Sequence, residues 1–311
     1  SLTFFDPACG SGNFLTESYV SLRRLENQVI ALRNKGQAVI GDFANPVKVD
    51  IHQFYGIEIN DFAVSVATTA LWIAEQQMLQ ETEKIASFQI KSLPLKAYHN
   101  IKEGNALRID WSEVIAPEKL NYIMGNPPFV GLSLRTTAQQ EDMDLIFKGN
   151  DRAGRLDYVA AWYRKAADYM QNTKIEAAFV STNSICQGEQ VPILWEELFQ
   201  KGIHINFAYR TFIWQSEASL KAHVHCVIVG FSYQERAIKT IYENEIGKKV
   251  SQINGYLVNA DNVFIQLRGK ANPNMPKLVQ GNKPWDGGFL ILSPEEREEL
   301  VKKYPEADSL I

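Results

Sequence analysis

Leu2-Thr3-Phe4-Phe5-Asp6-Pro7-Ala8-Cys9-Gly10-Ser11-Gly12-Asn13-Phe14 carries three signals in a row. An apolar strand, Leu2 to Phe5, runs into a tight loop of small residues that feeds a helix. Phe14, Leu15, Tyr19, Leu22, Leu25, Val29 and Leu32 recur at the spacing of one apolar helix face, and Gly36 is placed to end it. Strand, glycine loop and helix together open a doubly wound α/β sheet, and the loop lets a ligand approach the backbone closely. A dinucleotide fingerprint would want a third glycine where Leu15 stands, which weakens a nicotinamide reading; a plain strand-to-helix turn is the alternative.

Moving outward, Phe54-Tyr55-Gly56-Ile57-Glu58-Ile59 reads as a second strand with an acid at its carboxyl end, before a helix from Phe62 to Leu79. A carboxylate there can accept from both hydroxyls of a ribose. Capping of the next helix is the other role for Glu58, although Asn60 and Asp61 are better placed for it. Lys102-Glu103-Gly104-Asn105-Ala106-Leu107 is the exit of a short third strand. Asn105 offers an acceptor and a donor to an adenine edge, with Ala106 and Leu107 to wall the ring; an ordinary turn asparagine is the alternative. The fourth strand, Tyr122 to Gly125, ends in Asn126-Pro127-Pro128-Phe129. Two prolines fix their own φ and restrict the residue before each, leaving a rigid turn of acceptors beside an aromatic face. Such a turn suits a planar ring bearing an amino group; a Pro-Pro turn after an edge strand is the plain reading.

Val130 to Asp157 reads as a polar loop, either a lid or a solvated connection. A helix is expected over Leu156 to Met170, a strand over Ala177 to Ser181, a helix over Pro192 to Gln200, and an extended pair over Ile205 to Trp214 and His223 to Tyr233. His223 and His225 share a strand face without a third ligand, so no metal site is read. After about Glu235 the chain turns to short extended pieces and punctuation, including Asn272 to Pro276, Asn282 to Trp285 and Asp286 to Gly288, before a helix from Pro294 through Tyr304. The expected division is therefore residues 1–235 as one domain and 236–311 as a connector and the start of another.

The 311 residues are 45% apolar and 22% charged, the balance of a water-soluble globular chain. No apolar run is long enough to span a membrane, and the first residues are not a signal peptide. Cys9, Cys186 and Cys226 fit no metal or disulfide spacing, so a reducing cytoplasm is expected. The formal net charge of -4 argues against a large phosphate-binding surface within these residues. An opening directly in a strand, without methionine, is expected of a piece of a longer chain.

In this order, Asp6-Pro7-Ala8-Cys9-Gly10-Ser11-Gly12, Gly56-Ile57-Glu58-Ile59, Gly104-Asn105-Ala106-Leu107 and Asn126-Pro127-Pro128-Phe129 resemble the motifs of S-adenosylmethionine-dependent adenine-N6 DNA methyltransferases. The resemblance covers roughly Leu2 to Tyr233. Thr16-Glu17-Ser18-Tyr19, Leu22-Arg23-Arg24-Leu25-Glu26 and Tyr209-Arg210-Thr211-Phe212 bring it closer to the MmeI type of single-chain restriction-modification enzyme (type IIG/IIL).

That resemblance implies a mostly parallel, Rossmann-like methyltransferase sheet with helices on both faces and an antiparallel strand near its end. It implies S-adenosylmethionine as cofactor, held by Asp6, Pro7, Ala8, Gly10, Gly12, Asn13, Phe14, Glu58, Ile59, Asn105 and Ala106. Asn126, Pro127, Pro128 and Phe129 become the catalytic turn; Phe212 or Trp214 is a candidate second aromatic for the base, with core packing the plainer reading of either. Double-stranded DNA is the implied partner, gripped weakly by this piece. A nuclease ahead and a target-recognition domain behind are expected in the parent chain. RNA guanine and protein glutamine methyltransferases use a similar Asn-Pro-Pro-aromatic turn, and a silent nucleic-acid-binding scaffold is a further alternative. A cytosine-C5 enzyme would need a cysteine after proline, and none of the three follows one.

Overall fold

A computed structural model describes residues 2–34, 46–86, 98–214, 224–266 and 291–309. The first compact unit, residues 1–266, is built on one nine-stranded sheet. Its strands are β1 (Phe4–Asp6), β2 (Phe54–Glu58), β3 (Ile101–Glu103), β4 (Tyr122–Gly125), β5 (Glu176–Thr182), β6 (His204–Trp214), β7 (Val224–Ser232), β8 (Lys239–Glu243) and β9 (Ile246–Val250). They lie in the order β3-β2-β1-β4-β5-β7-β6-β8-β9. The first five pair in parallel, while β7 runs antiparallel between β5 and β6. This is the doubly wound, mostly parallel sheet anticipated above, with its antiparallel strand near the end.

Side chains alternate across the sheet because successive residues of a strand point to opposite faces. Phe5 and Ile57 therefore join one core cluster, with Trp162, Tyr163, Phe179 and Trp195, while Phe54 joins another with Leu15, Tyr19, Leu71 and Met78. The second cluster lies under α1 (Asn13–Asn34) and α2 (Asp61–Ala86); the first holds buried residues of α3 (Thr137–Ile146), α4 (Ala160–Tyr169) and α5 (Gln190–Gln200). Among the described residues no helix is long and apolar enough to cross a membrane.

Three expectations need correction. The buried face of α1 follows the predicted apolar stripe only through Leu15, Tyr19 and Leu22: Leu25, Val29 and Leu32 are largely exposed, while Arg23 is fully buried and Asn27 nearly so. A polar network replaces the apolar contact, with Arg23 Nη2 donating to Thr82 Oγ1 at 2.7 Å and Thr82 Oγ1 donating to Asn27 Oδ1 at 2.7 Å. Arg23 also pairs with Glu26. The stretch from Val130 to Asp157 is not one long loop but contains α3, started by a capping box in which Thr136 and Gln139 exchange hydrogen bonds. Lastly, the division expected at 235/236 falls inside the sheet. β8 pairs with β6 and β9 with β8, so this unit runs on to Gln266.

The second compact unit, residues 267–311, contains α6 (Pro294–Lys303), capped by Ser293, whose hydroxyl accepts from the Glu296 N–H. Gly36, His223, Trp214's side chain and the expected turns within 272–288 lie outside the described residues.

Candidate active site

The sheet order reverses beside β1, which pairs with β2 on one side and β4 on the other. In doubly wound sheets a crevice opens at this point, outside the carboxyl ends of the strands. The loop after β1 is folded by short bonds: Gly12 N–H donates to Cys9 O at 2.8 Å, and Cys9 N–H to Ile57 O at 3.1 Å. Gly10 and Gly12 both have positive φ, at 54° and 82°. Their surroundings differ. A Cβ on Gly12 would meet Ala67 Cβ at 2.9 Å, so this glycine packs the loop onto α2; a Cβ on Gly10 would meet nothing within 4 Å. Gly10 thus leaves open the space that a side chain would fill, as a close-approaching ligand needs.

Glu58 is tied to that loop. Its Oε2 accepts from Gly10 N–H at 2.9 Å and its Oε1 from Asn60 N–H at 3.0 Å, so each oxygen keeps a further acceptor site. The cap of α2 is made instead by Asn60, whose Oδ1 accepts from Ala63 N–H at 3.0 Å. Ile59 and Phe62 are 67% and 74% exposed beside Glu58, an apolar shelf next to the carboxylate.

Asp6 ends β1 with 1% of its surface exposed. Its Oδ1 accepts from Ala8 N–H at 2.9 Å, and its buried Oδ2 has no hydrogen-bond partner. Burial pushes its carboxyl pKa up to about 7, the Ala8 hydrogen bond opposes this, and the nearby Glu58 charge adds to it. β4 approaches closely: a Cβ on Gly125 would stand 2.5 Å from Asp6 Oδ1, so only glycine fits there. The next residue is Asn126. Its Oδ1 is likewise buried without a partner, Pro127 is buried, Pro128 exposed and Phe129 half-buried. Two orphaned acceptors therefore sit on adjacent strand ends, each an unmet demand of the kind that a ligand donor or cation satisfies.

The third candidate loop differs from expectation. Asn105 Nδ2 donates to Asp142 Oδ2 at 2.9 Å and its Oδ1 accepts from Leu107 N–H at 2.9 Å, so both ends of the side chain are engaged within the protein. Ala106 and Leu107 are 5% and 1% exposed and belong to the main core, with Ala106 O accepting from Trp111 Nε1 at 2.9 Å. They brace the turn from inside instead of walling an open pocket. Asn13 is exposed, Phe14, Ala8 and Phe212 are half-buried, and Pro7 is buried with its carbonyl accepting from Trp162 Nε1 at 3.1 Å. Trp162 and Asp142 were not singled out in the sequence. The Thr136-x-x-Gln139 capping box was the available signal for α3, and hence for an inward face on which Asp142 lies.

Strand order, the glycine loop after β1 and the acid that ends β2 define a doubly wound fold of the nucleotide-cofactor-binding class. The family model for the MmeI DNA-methyltransferase domain matches residues 1–243, and that for the MmeI target recognition domain matches residues 259–311. The chain belongs to the MmeI DNA-methyltransferase family. It is 42% identical over 309 residues to DNA methyltransferase A of Bacillus subtilis, covering 98% of this chain and 35% of that protein. It also superimposes with a TM-score of 0.91 and 42% identity on the solved structure of the type IIL restriction-modification enzyme MmeI in complex with DNA, covering 99% of this chain and 42% of that one. The chain thus spans less than half the length of either relative.

Proposed function

We propose that this chain is the modification part of a restriction-modification enzyme and transfers a methyl group from S-adenosylmethionine to the exocyclic N6 amine of adenine in double-stranded DNA. The observation that carries this reading is the buried, partnerless Asn126 Oδ1 at the end of β4, one residue from the Gly125 contact with Asp6.

The residues fit S-adenosylmethionine. Glu58 has acceptor capacity left for two ribose hydroxyls, Gly10 leaves the space beside its Cα open although its N–H is taken by Glu58, and the orphaned carboxylate oxygen of Asp6 is complemented by a cationic group. Ile59 supplies an apolar face for the adenine ring, while Asn105 and Ala106 shape the neighbouring turn. Asn13 and Phe14 hold the loop's exit into α1. When bound, the cofactor supplies an electrophilic methyl group on a sulfonium.

The chain's own part is to prepare the nucleophile. An adenine amine is poor because its lone pair is delocalised into the ring; hydrogen bonds accepted by Asn126 Oδ1 and the Pro127 carbonyl favour a pyramidal nitrogen that recovers it. Pro127 and Pro128 hold those acceptors rigid, and Phe129 stacks on a base turned out of the duplex. Positioning and electrostatics then carry the rate. Residues 259–311 are read as the opening of the target-recognition domain, and cleavage, where present, belongs to a nuclease elsewhere in the parent chain. Asn126→Ala in the full-length enzyme is expected to lower methyl transfer roughly 100-fold or more while leaving cofactor affinity within about tenfold. Equal loss in both, or a product other than N6-methyladenine on nucleoside analysis, would refute the assignment.

A further inference from the structure

Asp142 lies on α3, seven residues past Arg135 and outside every motif, yet only 2% of it is exposed. A buried carboxylate is costly unless its oxygens are paired. Here Oδ2 accepts from Tyr158 Oη at 2.7 Å and from Asn105 Nδ2 at 2.9 Å, and Oδ1 accepts from Arg108 Nε at 2.5 Å. Burial raises its carboxyl pKa, but the bonds from Tyr158, Arg108 and Asn105 more than offset this and hold it below the usual carboxylate value. The group is therefore an anion with three donors, two of them reaching into different site loops.

Tyr158 is the second half of the junction. Its own N–H donates to Val130 O at 2.9 Å, which pins the backbone immediately after Phe129. Its ring meets Trp162 edge-on at 5.2 Å, and Trp162 Nε1 holds Pro7 O of the glycine loop at 3.1 Å. Asn105 in turn holds Leu107 N–H, which sets the turn after β3. One buried pair thus touches or adjoins all three ligand loops.

We propose that Asp142 is a positioning residue that, with Tyr158, couples cofactor binding at the Asn105 turn and glycine loop to the setting of the Asn126-Pro127-Pro128-Phe129 turn. This rests on the reading that those loops hold S-adenosylmethionine and a base. Both act at one remove from the reacting atoms, Asp142 through the side chains it holds and Tyr158 through its hydroxyl to Asp142 and its main-chain N–H to Val130 O. Removing the carboxylate frees the Asn105 amide and the Tyr158 hydroxyl together, so the cofactor side and the base side loosen at once.

The test uses the full-length chain and S-adenosylmethionine, with binding measured by calorimetry and methyl transfer measured at saturating cofactor on unmethylated DNA. Asp142→Asn and Tyr158→Phe are each expected to weaken cofactor binding about tenfold, the loss of one hydrogen bond to a charged group, and to lower kcat as well. Because Tyr158→Phe removes a single oxygen, it keeps the test alive if Asp142→Asn does not fold. The decisive measurement is a cycle combining Tyr158→Phe with Asn105→Ala, two side chains linked through Asp142. Coupling predicts that the second substitution costs several-fold less in cofactor affinity once the first is present. Independent, multiplying losses would overturn the proposal, as would variants within twofold of the parent in both affinity and kcat. A parent chain that binds no S-adenosylmethionine would refute the functional reading itself.

Discussion

Asp6→Asn is expected to stabilise the cofactor-free chain at alkaline pH while weakening its site. The carboxyl, ordinarily at 3.8, is pushed up to about 7 by burial. Between these values the folded state holds a proton that the unfolded state has released, so this group makes stability fall as pH rises through that window. Above pH 7 the full cost is present, about 4 kcal/mol from roughly three pKa units at 1.36 kcal/mol each. Asparagine removes it. Its Oδ1 still accepts from Ala8 N–H, but an amide then occupies the place of the partnerless Oδ2, which costs about 1 to 3 kcal/mol. The net expectation is a variant about 1 to 3 kcal/mol more stable at pH 8, with the advantage shrinking by about 2 to 3 kcal/mol at pH 5. Chemical denaturation of both chains at the two pH values measures this directly. A stability difference that is the same at both, or that grows toward acid, would refute the argument. Cofactor binding supplies the converse: S-adenosylmethionine affinity of the parent chain should rise as pH passes through 7, and that of the variant should be weaker and flat.

Glu58→Ala should weaken S-adenosylmethionine binding by roughly 1 to 3 kcal/mol, since a charged acceptor is lost together with its hold on Gly10; unchanged affinity by calorimetry would remove Glu58 from the site. Gly12→Ala should destabilise the fold by about 1 to 3 kcal/mol, because it forces a Cβ to 2.9 Å from Ala67 at a φ of 82°. Gly10→Ala, at a φ of 54° with open space around it, should cost less. Melting curves in which the two variants match would count against the packing argument.

Much of this arrangement was legible because the parallel half of the sheet is marked by its loops. Each of β1, β2 and β4 ends in residues with no other business in a strand: an acid and two glycines, an acid, and an asparagine before two prolines. Periodicity failed where polar groups took over buried positions. On α1 the inward face runs from Leu15 and Tyr19 on through Arg23 and Asn27, which meet at Thr82 by hydrogen bonds, while Leu25, Val29 and Leu32 keep the spacing of an apolar stripe but are exposed. Asn105 misled for a related reason: its type allowed an outward role, but an acid 37 residues away had already engaged it. No local pattern announces such a partner. β8 and β9 went unread because β9, Ile246-Gly247-Lys248-Lys249-Val250, is exposed at all but its last residue and has no buried alternation to detect.

The position of β7 has a consequence for how the chain reaches its native state. It follows β6 in sequence yet lies between β5 and β6. Neither of those strands has its neighbour on that side until residues 224–232 have been synthesised, and the two cannot zip together in the meantime without excluding the later arrival. β1 likewise waits for β4, as the Thr3 N–H bond to Asn121 Oδ1 spans 118 positions. Such non-local pairings close entropically costly loops before they are rewarded, which slows folding and leaves strand edges open to misassociation. The contacts that hold the three candidate loops, from Asp142 to Asn105, from Tyr158 N–H to Val130 O and from Trp162 to Pro7 O, are all available once residue 162 has been made, so on the proposed reading a growing chain has the means to recognise its cofactor before β6 and β7 seal the sheet. Cofactor present during synthesis would then act on the order of assembly as well as on the finished protein.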